Sequence, residues 1–166
     1  MGKTEITVAK WHELASAEQR KGVTIPVSFC VNGWSMEPFI RYQRDEVTIH
    51  PVTQPLRRGD IVLFAAKRLG GDYVLHQIQK IENGIVTTLG SNCLYPDMPI
   101  PLEKVLGIAR EVRRGKRMIS TDSWYWRAAA VLWVRLYPVR LPLLRMSHFA
   151  ARCRNWLLRW LKTAKV

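Results

Sequence analysis

Through the first two thirds of the chain, apolar and polar residues alternate in short runs separated by turn signals. Runs of this kind, rich in Val, Ile, Thr and aromatic residues, are typical of β-strands. An Asn-Gly pair at 83–84 and a Gly-Gly pair at 70–71 are typical of hairpin turns, and Gly107 predicts a bulge or a close backbone approach. The predicted strands are 24–31, 45–50, 61–66, 73–82, 85–89 and 102–113. This pattern indicates a mainly β fold, a compact coiled β-domain.

The period changes to that of helices at both ends of the chain. Near the start, residues 4–21 form a short predicted helix with the apolar face Val8, Trp11, Leu14 and Ala15. After residue 117, two helices are predicted at 123–136 and 143–162, because Pro138 and Pro142 interrupt the pattern. The second helix has an apolar stripe opposite a basic side. The stripe consists of Met146, Phe149, Ala150, Cys153, Trp156, Leu157, Trp160 and Leu161.

Positive charge is concentrated in this C-terminal part. The net charge is +13, and residues 110–166 hold 14 of the 26 Lys and Arg residues but only two of the 13 acidic residues. We therefore divide the chain into a β-domain, residues 1–117 with its core at 24–117, and a helical appendage, residues 118–166. Because Trp and Tyr alternate with Arg there, we expect the appendage to bind an anionic membrane surface. The alternative is that the apolar stripe of the second helix packs on the β-domain or on a partner.

No segment of the sequence has the ~20 apolar residues that span a bilayer. The nearest candidate, 124–144, contains three Arg and two Pro residues. The N-terminus lacks the apolar centre of a signal peptide. We therefore expect peripheral membrane association, at the cytoplasmic face because Arg-rich segments tend to stay on that side. A nucleic-acid partner is not favoured, because the β-domain is nearly neutral.

Three cysteines occur without the spacing of a metal site or a disulfide framework. They are Cys30, Cys93 and Cys153. We expect free thiols that are buried, as unpaired cysteines commonly are. The sequence also has no Gly-rich phosphate loop and no metal-ligand cluster, so no cofactor is expected.

Three blocks of sequence combine into a candidate for nucleophilic catalysis. Ser35 follows an apolar strand in Gly33-Trp34-Ser35-Met36-Glu37-Pro38, where Gly33 permits a tight turn that exposes the hydroxyl. Serine needs a base within hydrogen-bond reach, and His76 lies in a later strand. An ordinary imidazole pKa of ~6.5 makes it available at neutral pH, with activity falling below that range. Asp97 is a carboxylate that can orient the imidazole. Candidate oxyanion donors are the backbone amides of Trp34, Ser35 and Met36.

Together the blocks resemble the type I signal peptidase superfamily, which also contains the self-cleaving SOS repressors. They are Gly33-x-Ser35-Met36-x-Pro38, Arg58-Gly59-Asp60, Val74-x-His76, and Gly90-x-Asn92 with Asp97. Bacterial members usually pair serine with lysine, whereas the endoplasmic-reticulum and archaeal-like branch uses histidine, and this chain is similar to that branch over residues 24–117. The resemblance implies a serine endopeptidase that removes a leader from a peptide or protein through an acyl-enzyme. It also implies small residues before the cut and a substrate extended along a strand edge. Ser91 stands where the family usually has aspartate.

Other interpretations remain beside this one. A self-cleaving switch would need a lysine base and a DNA-binding domain, for which only about 25 residues precede the core. Lys67 and Lys80 are the lysines that could be considered as this base. Lys80 shares a strand with His76 but lies about 13 Å further along it. The principal alternative is a non-catalytic, membrane-associated module that binds peptides or partners.

Overall fold

The computed structural model of this chain describes residues 8–19, 23–65 and 73–163. Strands, α-helices and one short 3-10 helix follow one another along them. The strands are β1 (Val27–Cys30), β2 (Asp45–His50), β3 (Ile61–Ala65), β4 (Tyr73–Glu82), β5 (Ile85–Leu89), β6 (Ile100–Pro101), β7 (Val105–Arg114) and β8 (Arg117–Ser120). The helices are α1 (Val8–Gln19), α2 (Trp124–Arg135), α3 (Tyr137–Thr163) and the 3-10 helix Leu102–Lys104.

All these strands join one antiparallel sheet, which curls into a half-barrel. The order across the sheet is β1, β2, β7, β3, β4, β5, β6, and β8 pairs with the last residues of β7. Strand accounts for 35% of the structure and helix for 29%, so the prediction of a mainly β fold is confirmed. Strand β4, which carries His76, lies inside the sheet between β3 and β5.

Two glycine positions explain local features of this sheet. Asn83 and Gly84 turn the β4–β5 hairpin with φ values of 48° and 73°, the region that an Asn-Gly turn requires. Gly107 lies where the register between β3 and β7 shifts. A Cβ there would come within 2.5 Å of the Ile49 side chain, so the predicted close approach is confirmed. The Gly-Gly pair at 70–71 lies outside the described residues.

Several strand boundaries differ from the sequence pattern. Strand β1 begins at Val27, after Pro26, which has no N–H to donate to a ladder. The strand expected over 102–113 begins only at Val105, because the preceding three residues form a 3-10 turn. Strand β6 has two residues and is too short to show alternation. Strand β8 lies in a stretch that the sequence pattern assigned to the connection before a helix.

The sheet encloses two apolar clusters, one on each side of β4. The larger cluster includes Trp11 and Ala15 of α1 together with Met36 and Ile40. The Trp11 indole donates a hydrogen bond to the Ile25 carbonyl, which holds α1 against the start of β1. Leu14, expected on the same face, is exposed instead. The smaller cluster consists of Val62, Phe64, Ile78, Val86 and Val105.

The chain divides into two compact units, Met1–Val134 and Arg135–Val166. Helix α2 lies almost wholly in the first unit. Its Arg127 forms an ion pair with Asp60 at 2.8 Å, and the Gln77 side chain of β4 donates to its Ala130 carbonyl. The turn before β3 and the centre of β4 are therefore both connected to α2, so this helix braces the strand that carries His76.

The second unit consists of α3 in the described part of the chain. The sequence predicted its start near Leu143, whereas the helix begins at Tyr137 and contains both Pro138 and Pro142. Proline is tolerated in a first helical turn, where no N–H partner is needed, and this explains Pro138. Residues along one side of α3 are apolar and exposed, namely Val139, Leu143, Met146 and Phe149. None of the described helices combines the length and apolarity needed to cross a membrane.

Candidate active site

The turn that carries Ser35 is anchored by the apolar residues around it. Met36 and Ile40 are completely buried in the larger cluster, and the Ile40 amide donates to the Met36 carbonyl. Phe39 contacts the edges of Trp126 and Trp133 of α2. Ser35 itself is partly exposed between these anchors and Trp34, whose ring lies against Tyr42. The local sequence therefore alternates buried anchors with residues that face outward.

A buried ion pair holds the end of the same turn. Asp45, fully buried at the start of β2, accepts hydrogen bonds from the Arg114 guanidinium, the shortest at 2.7 Å. Arg114 also donates to the Phe39 carbonyl, and the Arg41 amide donates to Asp45. A buried carboxylate with several donors is strongly oriented. The turn is thus fixed to β7 and cannot shift without breaking this network.

His76 is held by the sheet and by apolar neighbours. It pairs with Val62 of β3 and is 8% exposed. The edge of its ring faces Phe64 of the smaller cluster. Two backbone hydrogen bonds connect Ile78 with Gly59 and Asp60, and Gly59 has a φ of 91° that favours glycine. The Arg58-Gly59-Asp60 block therefore sets the position of β4 beside His76.

Asp97 lies directly against His76. Nδ1 of His76 donates to Oδ2 of Asp97 at 2.6 Å, and the Thr88 hydroxyl donates to the same oxygen at 2.7 Å. The Asp97 amide in turn donates to the Thr88 carbonyl. Because β5 supplies both contacts from Thr88, the carboxylate is fixed relative to β4. The remaining ring nitrogen, Nε2, is left to face the rest of the site.

Gly90 forms the junction at which the blocks meet. A Cβ on Gly90 would lie 2.8 Å from the carbonyl oxygen of Ser35 and 2.9 Å from Nε2 of His76. Both distances are too short for a real side chain, so this position requires glycine. Gly33, which the sequence suggested as the permissive glycine, has nothing within 4 Å of its Cβ position and no positive φ. The steric need for glycine therefore lies in the Gly90 block, not in the Ser35 turn.

Hydrogen bonds connect the Gly90 block to the Ser35 turn and to α2. The Asn92 amide donates to the Ser35 carbonyl at 2.7 Å, and its side chain donates to the Trp34 carbonyl at 3.3 Å. The Trp133 indole donates to the carbonyl of Ser91. Ser91 itself is fully buried. Trp133 therefore holds the Gly90 block in place. The motifs did not reveal this role, because it depends on the position of Trp133 on α2.

Opposing effects act on the pKa of His76. Burial lowers the pKa of the imidazole, but its hydrogen bond to Asp97, its interaction with the Cys93 sulfur and the charges of these groups raise it, and the pKa reaches about 9. The imidazole is therefore protonated at neutral pH in the free protein. This differs from the expectation of an ordinary pKa, because the sequence did not reveal two acceptors around one buried ring.

The arrangement has most of the components of a serine-histidine-aspartate site. The carboxylate fixes Nδ1 of His76, and Nε2 lies at the junction beside Ser35. Among the described residues, the Ser35 hydroxyl makes no hydrogen bond to His76, and the amides of residues 34–36 donate to no backbone carbonyl. Catalytic hydrogen bonds are often long before substrate binds. Free amides near a nucleophile are the groups that an oxyanion requires.

Cys93 is the residue at this site that the sequence interpretation missed. Its sulfur would lie 2.6 Å from a Cβ on Gly90, where Nε2 of His76 would lie 2.9 Å away, and Cys93 raises the pKa of His76. All three cysteines are free, as expected, but Cys30 and Cys153 are exposed and Cys93 is half-buried, so the expectation of buried thiols is wrong. Lys80 is exposed and forms an ion pair with Glu82, and Lys67 lies outside the described residues.

Comparisons with protein-family models, with characterised proteins and with solved structures gave no match.

Proposed function

We propose that this chain is a serine endopeptidase similar to signal peptidases. Ser35 is the nucleophile, His76 is the general base and then the general acid, and Asp97 orients the imidazole. The observation that carries the proposal is the junction at Gly90, where the Ser35 turn and Nε2 of His76 approach while Asp97 occupies Nδ1. Three separate stretches of the chain contribute to this junction, and their residue types are those that nucleophilic catalysis needs.

In the proposed reaction, the neutral imidazole of His76 takes the hydroxyl proton of Ser35 as the serine oxygen attacks the scissile carbonyl. The amides of Trp34, Ser35 and Met36 donate to the negative oxygen that forms. His76 then gives its proton to the leaving amine, and an acyl-enzyme remains on Ser35. Water, activated by the same imidazole, hydrolyses the acyl-enzyme. Asp97 keeps the ring in one tautomer and stabilises its charged form in both halves.

The proposed substrate is an extended leader segment of a peptide or protein. Within the described residues, β1 pairs only with β2, so its other edge has free backbone groups for an added strand. Strand β1 ends five positions before Ser35, which brings an added strand close to the nucleophile. The exposed side chains of Trp34 and Tyr95 flank the site and provide apolar surface for the substrate.

We also propose that α3 binds the surface of an anionic membrane. The second unit contains eight Lys and Arg residues and no acidic residue. Its exposed apolar side chains recur every three or four positions from Val139 to Phe149, and Arg145, Arg152 and Arg154 are exposed beside them. A basic helix with an exposed apolar stripe suits the headgroup region of a bilayer. Such an attachment would hold the peptidase close to membrane-bound precursors.

Labelling with a fluorophosphonate, followed by peptide mapping, tests the peptidase proposal. We expect one adduct, on Ser35, formed at pH 9 and lost in both Ser35→Ala and His76→Ala. Ser123→Ala is the matched control, because the Ser123 hydroxyl donates to the Ser120 carbonyl in the exposed turn before α2. No adduct on the folded wild type, with or without anionic vesicles, would reject the peptidase and favour the non-catalytic binding module.

A further inference from the structure

The Cys93 sulfur, the Ser35 carbonyl and Nε2 of His76 all meet at Gly90. The Cys93 sulfur and Nε2 of His76 both lie within 3 Å of the Cβ position of Gly90, so the two atoms border the same small space. The Cys93 amide also donates to the Gly90 carbonyl at 2.9 Å, which fixes the residue in a tight turn. The sulfur therefore occupies the side of the ring on which the proposed base must accept the serine proton.

The Cys93 thiol lies beside a buried histidine at the Gly90 junction. Asp97 holds the opposite nitrogen of the ring at 2.6 Å, so the histidine beside the Cys93 sulfur is fixed by a carboxylate. A protonated imidazole beside sulfur stabilises the negative charge that the sulfur carries when it attacks an electrophile. Cys30 and Cys153 are both more exposed than Cys93, so exposure alone would favour them as reactive thiols.

We propose that Cys93 is a reactive thiol and a site of reversible oxidation by hydroperoxides, and that its oxidation prevents His76 from serving Ser35. The sulfur of Cys93, as thiolate, attacks one oxygen of the peroxide and the O–O bond breaks. The departing oxygen takes the proton of the His76 imidazolium and leaves as water or an alcohol. Sulfur is oxidised by two electrons to a sulfenic acid, and the peroxide is reduced by the same two electrons. A small thiol reverses the change.

The first part of this proposal, the reactivity of Cys93, does not depend on the proposed function, because it requires only the histidine beside the sulfur. The second part, inhibition, rests on the proposed function, because it requires His76 to act as the base for Ser35. A sulfenic acid adds an oxygen at the junction, where a Cβ on Gly90 already has no room. Oxidation should therefore displace either the imidazole or the Ser35 turn.

The first experiment compares the three cysteines within one protein. Full-length folded protein is treated with limiting iodoacetamide at pH 7, and separately with hydrogen peroxide followed by dimedone, and each site is quantified by peptide mapping. Exposure alone predicts that Cys93 reacts most slowly. We expect it to react roughly tenfold or more faster than Cys30 and Cys153, and this excess to disappear in His76→Asn. An equal or slower rate at Cys93, or an excess that survives in His76→Asn, would overturn the proposal.

The second experiment measures fluorophosphonate labelling of Ser35 before and after peroxide, and again after dithiothreitol. We expect peroxide to reduce the wild-type labelling rate about tenfold or more and dithiothreitol to restore it, as for a sulfenic acid. In Cys93→Ala the ratio of rates with and without peroxide should be close to one, whereas Cys30→Ala should behave as the wild type. A peroxide effect that persists in Cys93→Ala would overturn the inhibitory role. If Ser35 is never labelled, the proposed peptidase fails, while the reactivity measured in the first experiment stands on its own.

Discussion

His76 and Asp97 are joined by a 2.6 Å hydrogen bond from Nδ1 to a carboxylate oxygen that Thr88 also holds. Because the Thr88 contact fixes the carboxylate to β5, the ring of His76 has one orientation and one tautomer available. The same contact stabilises the imidazolium, so it has two consequences of opposite value for catalysis. It orients the base, and it raises the pH at which the base becomes neutral.

The first prediction concerns the pH dependence of acylation. The pKa of His76 is raised to about 9, and only the neutral ring can take the serine proton. We expect the fluorophosphonate labelling rate of Ser35 to rise about tenfold per pH unit up to a midpoint near pH 9 and then to level off. Rates measured from pH 5 to pH 10 give the midpoint. A plateau that begins near neutrality would show that the ring titrates with an ordinary pKa.

The second prediction concerns the charge of Asp97. Asp97→Asn keeps the size of the side chain but removes a charge that raises the pKa of His76. We expect the labelling rate at pH 9 to fall by about 10²–10⁴-fold, since the tautomer is no longer fixed. The pH midpoint should also move down. Asp122→Asn is the control, because Asp122 pairs with Arg110 in an exposed ion pair. A wild-type rate in Asp97→Asn would exclude the orienting role.

The third prediction links the same contact to stability. A histidine whose pKa is raised on folding stabilises the protein fully below its unfolded pKa of ~6.5, and this contribution is lost as pH rises through about 9. The wild type should therefore exceed Asp97→Asn in free energy of unfolding by on the order of 2–3 kcal/mol at pH 6. Urea titrations at pH 6, 8 and 10 should show the difference shrinking. A difference that stays constant across this range would contradict the linkage.

The sheet could be predicted from the sequence because its central strands are long and bounded by clear turn residues. Strand β4 has the predicted bounds, and Asn83-Gly84 turns as the residue types require. The short strands β6 and β8 could not be found, since two to four residues show no period and pairing with β5 and β7 decides their conformation. The start of α3 was misplaced because proline is tolerated in the first turn, where Pro138 lies, and because the helix also continues through Pro142, which the sequence pattern treated as a break.

The motifs named stretches of chain that meet at Gly90 in the fold, but they did not show the details of the contacts. Ser35, His76 and Asp97 were singled out by residue type and order, and the last two are in direct contact. Cys93 and Trp133 were missed, because a thiol in a loop and an indole on a helix have no distinctive spacing. Only the folded chain shows that one borders His76 and that the other donates to the Ser91 carbonyl.

The fourth prediction concerns the exposed stripe of α3. Met146 and Phe149 are more than half exposed in the free protein, so their burial in a bilayer should contribute binding energy. We expect Met146→Asp and Phe149→Asp each to weaken binding to phosphatidylcholine–phosphatidylglycerol vesicles by about tenfold or more. Met118→Asp is the control, because Met118 is an exposed apolar residue of β8. Flotation of the vesicles measures binding, and equal losses in all three variants would indicate a general charge effect instead of insertion of the stripe.

The fifth prediction separates two glycines that the motifs treat alike. A Cβ on Gly90 would lie under 3 Å from the Ser35 carbonyl, Nε2 of His76 and the Cys93 sulfur. These atoms cannot all move aside, because backbone hydrogen bonds hold Ser35 and the Asp97 contact holds the ring. We expect Gly90→Ala to lose stability by about 1–3 kcal/mol, as overpacked sites do, and to label Ser35 more slowly even when folded. Gly33→Ala has open space at its Cβ and should stay within about 0.5 kcal/mol of the wild type. Thermal unfolding and labelling of both variants test this, and a greater loss in Gly33→Ala would place the steric constraint in the serine turn instead of at the junction.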